Sequence, residues 1–277
     1  MPTDTAGMRT PLRLLFIGGR PALRTALAAW PGTELVSDAA EADCALVDVA
    51  SLTPTAHAEA CHYPYAPSLP LIVVSAIGAD RCADTNPYLA EVARAENTAA
   101  RARADHCILR CAPMDVDLVQ IARQIADFST VYGCFTGGPV PWLALGDLVD
   151  VTARLVSDPA RRGGRAYELT GHDTAPVTTV VDQLAGALDV RAEYHPLEPA
   201  QLVGALCNSV GWSLDMALRV PGHQQWTGAG HPTSPLVEKA LHHTPRPLDA
   251  CLAYAAAVVT GPRTADQLTS ATKGTLS

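Results

Sequence analysis

Apolar and polar positions follow two alternating rhythms along the first half of the chain. Residues 12–17 (LRLLFI) are a nearly unbroken apolar run ending in Gly18-Gly19, as expected of a strand buried on both faces of a parallel sheet. Pro21 then opens a helical pattern to Trp30, stopped by Pro31-Gly32. Residues 34–37 and 44–49 read as the next two strands, and 71–75 (LIVVS) as the clearest strand in the sequence. Asn86-Pro87 supplies an N-cap and a first helical residue for a long helix to about residue 104. Tyr88, Val92, Ala95 and Ala99 lie on one stripe of it, and a strand over 106–110 follows. Strands alternating with helices predict an α/β fold, a doubly wound parallel sheet with helices on both faces.

The second half is less regular. Residues 133–141 carry three glycines and two prolines and read as a crossing loop. A helix over 145–156 stops before Asp158-Pro159, a strand follows at 167–170, and a helix at 177–188. Residues 190–257 predict a smaller cap of helices and one strand. The expected organisation is a sheet domain over 1–189, a cap domain of α+β type over 190–261, and a flexible tail over 262–277.

Composition narrows the function. With 277 residues, 48% hydrophobic and 17% charged, the chain suits one large domain with a smaller one attached. Acidic residues outnumber basic ones, 28 to 20, and no basic block interrupts them, which argues against nucleic acid as a partner. Lys239 and Lys273 are the only lysines, so Schiff-base chemistry has almost no residue to use. Apolar runs such as 69–77 fall far short of the ~20 residues of a membrane span, and the N-terminal residues lack a signal-peptide core. A soluble, cytoplasmic protein with no membrane partner is expected. The eight cysteines are scattered without C-x-x-C spacing, and most read as small buried hydrophobes.

A series of segments, in order, resembles the NmrA-like branch of atypical short-chain dehydrogenases/reductases. They are LIVVSAIGAD, AEVARAEN, CILRCAPM, VPWLALGDLVDVTARLV, YELTG and LVEKALHHTPRPLDACLAYAA, within a span from Leu12 to Ala257. The resemblance implies a Rossmann-type domain, a small C-terminal substrate domain and a cleft between them, with ligands beyond the carboxyl ends of the strands. The sequence departs from the family at the dinucleotide loop. Where the family carries G-x-x-G-x-x-G, this chain reads Gly18-Gly19-Arg20-Pro21-Ala22-Leu23-Arg24. Pro21 removes a backbone donor and Arg24 adds bulk where helix should pack on strand, which excludes the standard pose. Gly18, Arg20 and Arg24 leave NADP(H) a non-standard pose, because arginine pairs with phosphate; no cofactor is the primary expectation. Only six residues separate the strand ending at Ser37 from Cys44, where the family places further elements and ribose contacts. Asp38 there reads as a turn or N-cap residue. Tyr88 is followed four residues later by Val92, so the lysine that activates the phenol in reductive relatives is missing.

Candidate chemistry is sparse. On a strand, Cys107 and Cys111 stand about 13 Å apart, too far to share a metal ion, and no metal is expected. Ser75 ends the central strand but lacks a G-x-S-x-G elbow. General acid–base chemistry remains, with His223 and His231 flanking a Gly-rich loop, QQWTGAG, and Asp115 at the cleft lip as catalytic candidates. Gly19, Ser75, Ile77, Tyr88, Arg110, Met114, Asp117 and Trp226 are the candidate substrate contacts. Bland roles compete for each of these. Tyr88 suits the core, Arg110 a hydrogen-bonded strand end, and the histidines a solvated loop. The alanine, arginine and proline bias fits a GC-rich genome. With the resemblance, this implies a cofactor-independent tailoring enzyme of bacterial secondary metabolism, a cyclase, isomerase, dehydratase or coupling type. Its partner would be a hydrophobic aromatic molecule such as a polyketide, and a homodimer is compatible. The alternatives are an NADPH-dependent quinone or enone oxidoreductase and a non-catalytic, NmrA-type regulatory binder.

Overall fold

The computed structural model describes residues 10–50, 69–101 and 105–261. The tail expected over 262–277 and the end expected for the long helix, 102–104, lie outside them. The main sheet has six parallel strands in the order β2-β1-β3-β4-β5-β7. Its strands are β1 (Leu12–Gly18), β2 (Thr33–Leu35), β3 (Cys44–Asp48), β4 (Leu71–Ala76), β5 (His106–Cys111) and β7 (Arg165–Leu169). Helices pack on both faces, so the architecture is Rossmann-like α/β. Every residue of β3 and β4 is buried, which explains why both read as unbroken apolar runs.

The period of two along each strand divides the core. Leu14, Phe16, Leu46, Ile72, Val74 and Leu109 face helices α1 (Pro21–Ala29), α4 (Leu145–Ser157) and α8 (Leu236–Leu241). Leu15, Ile17, Val47, Val73 and Ile108 face α2 (Pro87–Arg101), whose stripe of Tyr88, Val92, Ala95 and Ala99 is buried against them. A third apolar cluster joins α3 (Asp115–Phe128), α5 (Val177–Ala187) and α9 (Leu248–Thr260). Strand β6 (Thr130–Gly133) pairs in parallel with β8 (Glu193–Pro196) in a second, two-stranded sheet, which ties residues from either side of position 189 together. Helices α6 (Pro199–Ser209) and α7 (Leu214–Thr227) form a hairpin beyond β8, and α7 lies against α2.

Two local expectations change. Residues 115–128, where Asp115 and Asp117 were placed at the cleft lip without an assigned element, are a helix; apolar residues at 116, 118, 119, 121, 122 and 125 give it one buried face. The QQWTGAG segment is helical as far as Thr227, because Trp226 buries into the core and carries the last turn of α7 with it. Only its glycine-containing end forms the loop. No described helix is long and apolar enough to cross a membrane.

Candidate functional site

Strand order reverses between β1 and β3, since β2 lies on one side of β1 and every later strand of the main sheet on the other. In open parallel sheets the crevice outside the carboxyl ends at such a point is the ligand site. Gly18 is in register with Asp48 there. Gly18 and Gly19 both have positive φ, 64° and 88°, which turns the chain sharply from β1 into α1.

Asp48 closes this crevice from below. It is the only acidic residue of an otherwise apolar strand, CALVD, and it is wholly buried. Its Oδ2 accepts the Arg20 backbone N–H at 2.9 Å and the Arg20 Nε–H at 3.0 Å. Its Oδ1 accepts from the Ala50 N–H at 3.1 Å and from Arg20 Nη2 at 3.4 Å. The Arg20 Nη1 reaches both Asp117 oxygens at 3.4 Å, and Asp117 also accepts the Met114 N–H at 2.8 Å. Burial pulls the Arg20 pKa down, but the two carboxylates more than offset it and the guanidinium stays charged. One cation thus joins the β1–α1 turn, the end of β3 and the first turn of α3.

Beside this triad stands an aromatic cluster. Tyr88 on α2 contacts His223 edge-on with ring centroids 5.0 Å apart, and Trp226 lies 5.5 Å from each. His231 also packs on Trp226, tilted, with ring centroids 5.6 Å apart. Trp226 Nε1 donates to the Ile77 carbonyl at 2.9 Å, and the Tyr88 hydroxyl donates to the Ala50 carbonyl at 3.2 Å, so both rings are fixed to the strand ends. Burial pushes the Tyr88 phenol above its usual range, away from acid–base work. His231 Nε2 bonds the Trp226 carbonyl at 2.9 Å, and burial lowers its pKa. His223 differs. Burial lowers it to about 4, with Asp117 pulling upward and Arg20 downward, and its ring nitrogens have no hydrogen-bond partner among the described residues. It is the group in this crevice best placed to meet a ligand.

Other candidates have internal partners. Ser75 donates to Glu96 at 2.5 Å, and Arg110 clasps the same buried carboxylate through Nε at 3.2 Å and Nη2 at 2.6 Å. Arg110 Nη1 also holds Asp80 at 2.8 Å. These contacts fit the strand-end role for Arg110 and give Ser75 a resident partner. Arg24 stands over the Phe16 ring, 5.9 Å from its centroid. Met114 is fully buried below the turn. Asp115 is not gathered with the histidines, because at the start of α3 its carboxylate points to α4 and accepts the Leu145 N–H at 2.9 Å. Burial raises it to about 7, and its second oxygen has no partner among the described residues. Burial also pushes the thiols of Cys44, Cys107 and Cys111 up to about 12, as inert core residues require. Among the described residues, no three His, Cys, Asp or Glu side chains converge as metal ligands would. Hollows of about 30 and 150 Å³ open elsewhere, one under α4 and one between Gly171 and α8.

Asp48 and Glu96 were not singled out by sequence reasoning. The signal for Asp48 was a charged residue ending a wholly apolar strand beside the glycine turn. Glu96 carried a similar one, a carboxylate on the apolar side of α2.

A dinucleotide in the fold's usual pose does not fit these residues. That pose needs free backbone donors at the start of α1 facing a pyrophosphate. Here the Arg20 N–H is bonded to Asp48 and Pro21 has none. A buried carboxylate lies against the turn, where a Cβ on Gly19 would come within 2.6 Å of Asp48 Cβ.

No family model matches the chain, and no curated protein matches it in sequence. Solved structures do match in fold. The NADPH-dependent quinone oxidoreductase of Escherichia coli, in complex with NADPH, superposes with a TM-score of 0.63 at 20% identity, covering 90% of each chain. The triphenylmethane reductase of Citrobacter sp. gives 0.59 at 14% identity, covering 88% of this chain and 89% of that one. A nucleoside-diphosphate-sugar epimerase of Staphylococcus aureus gives 0.56 at 13% identity, covering 87% and 99%. The shared property is the fold, and it is the Rossmann-type fold that the NmrA-like resemblance implied.

Proposed function

We propose that the protein is a dinucleotide-independent tailoring enzyme that binds a small, flat, hydrophobic aromatic molecule over the ends of β1, β3 and β4. The reaction is a non-redox proton transfer, of the kind used by isomerases, cyclases and dehydratases. The observation that carries this reading is His223: a neutral ring whose nitrogens have no hydrogen-bond partner among the described residues, packed against both Tyr88 and Trp226 and within the field of Arg20 and Asp117. A neutral imidazole accepts a proton at one nitrogen and donates from the other, so it moves a proton across a substrate without ending charged. The aromatic surroundings of His223 suit an aromatic partner, and the acidic excess of the Asp48–Arg20–Asp117 triad disfavours an anionic one. His231 supports Trp226 rather than meeting the substrate. A polyketide is the substrate class that the NmrA-like resemblance suggests.

The test follows solvent deuterium exchange into the exchangeable C–H positions of hydroxynaphthalene and anthrone-type compounds, with binding read separately by tryptophan fluorescence. His223→Gln should slow exchange at least tenfold and change binding by less than threefold. Exchange that is indifferent to His223 overturns the assignment. The fold shared with the E. coli quinone oxidoreductase over 90% of the chain favours a second reading, NADPH-dependent quinone reduction. Quinone-dependent consumption of NADPH by the wild-type protein would establish it.

A further inference from the structure

The first β–α turn of this fold presents backbone donors and the positive end of α1 to an anion. In this chain one of those donors, the Arg20 N–H, already has one, and Pro21 supplies none. We infer that Asp48 is a built-in anion that closes the phosphate site of the turn, and that it is the residue that sets the protein's specificity against phosphate-bearing ligands.

Three observations meet at this residue. The carboxylate has no exposure, so its charge is satisfied entirely by protein donors, two of them backbone N–H groups and two from the Arg20 side chain. Arg20 is the residue just before α1, so the bond from its N–H puts Asp48 at the helix N-terminus. Gly18 pairs with Asp48 in the sheet, and the Gly19 backbone lies close over the Asp48 side chain, leaving no room between them. A buried carboxylate held in this way resists displacement, since a phosphate entering would leave it uncompensated. Without Asp48, the Arg20 N–H and guanidinium would face the same space with only Asp117 as a partner, and that bond is the longer one, at 3.4 Å. The turn would then be an ordinary anion site with an arginine in it.

The inference deepens the proposed function and rests on it in one respect, that the wild-type protein takes no dinucleotide. Its test uses inorganic pyrophosphate as the probe, titrated calorimetrically into the full chain. Asp48→Ala should bind pyrophosphate at least tenfold more tightly than wild type, and the double variant Asp48→Ala/Arg20→Ala should return to the wild-type value. Circular dichroism checks the fold of each. Should Asp48→Ala not fold, Asp48→Asn keeps the side chain's volume and loses its charge, and the same gain is expected. Wild-type protein that binds pyrophosphate as tightly as the variants, or folded variants that gain nothing, overturns the role of Asp48. The proposed chemistry of His223 would survive that result, and it fails separately, in the exchange assay.

Discussion

Replacing His223 and Asp115 one at a time should tilt the pH dependence of stability in opposite directions. Burial lowers His223 to about 4, against ~6.5 in an unfolded chain. Between those values the unfolded state binds the extra proton. The stability tied to a neutral His223 is therefore present above pH ~6.5 and is lost as pH falls toward the folded value. Asp115 runs the other way. Burial raises it to about 7, against ~3.9 unfolded, so the folded state holds the proton. Its contribution is complete below pH ~4 and is lost as pH rises through the folded value. At 1.36 kcal/mol per pKa unit, the ceilings are ~3 kcal/mol for His223 and ~4 kcal/mol for Asp115. In the wild type these slopes largely cancel over the shared interval. Urea unfolding, followed by circular dichroism from pH 4.5 to 8, separates them. Relative to wild type, His223→Gln should gain stability as pH falls, and Asp115→Asn should gain stability as pH rises. Variants that both run parallel to wild type, or that tilt the same way, would show that the fold does not shift these two groups as described.

Arg110→Met should leave the buried Glu96 carboxylate without its cation and lower stability by about 3 kcal/mol, the lower part of the range for a broken buried pair. Adding Glu96→Gln should restore part of that loss in a denaturant titration. A cost below ~1 kcal/mol would return Arg110 to the ligand contacts. Gly19→Ala forces a side chain into a left-handed residue with φ 88° and against Asp48 and Phe16, at 2.6 and 2.8 Å. It should cost ~3 kcal/mol or more, a fall in melting temperature of roughly 6 °C for a chain of this size. An unchanged melting temperature would mean the turn has room to spare.

The parallel sheet was legible because β1, β3 and β4 are buried on both faces and read as apolar runs bounded by turns. Helix α2 was legible from the Asn86-Pro87 start and the stripe of Tyr88, Val92, Ala95 and Ala99. Helix α3 carried its period openly, yet Asp115 and Asp117 drew attention as cleft residues, although acidic side chains in a first helical turn are ordinary favourable partners of the helix dipole. The end of α7 was hidden by composition. Pro221 and Gly222 interrupt the pattern inside the helix, and a Cβ at Gly222 would come within 3.1 Å of both Asn86 and Tyr88. The site itself was half legible. Tyr88, His223, Trp226 and His231 were all candidates, and they do converge. Arg20 was read as a group for phosphate, because its true partner, Asp48, lies 28 residues away and only the sheet register brings them together. Pairings of that kind have no local signature.

The most direct measurement is a thermal-shift titration of the wild-type protein with NADPH, NADP, NADH and NAD up to millimolar concentration. Free ligand at ~100 times its dissociation constant stabilises a native state by about 2.7 kcal/mol, a shift of roughly 5 °C here. With Asp48 filling the turn, none of the four should move the melting temperature. A shift of several degrees with any one of them would contradict dinucleotide independence and make quinone reduction the function to pursue.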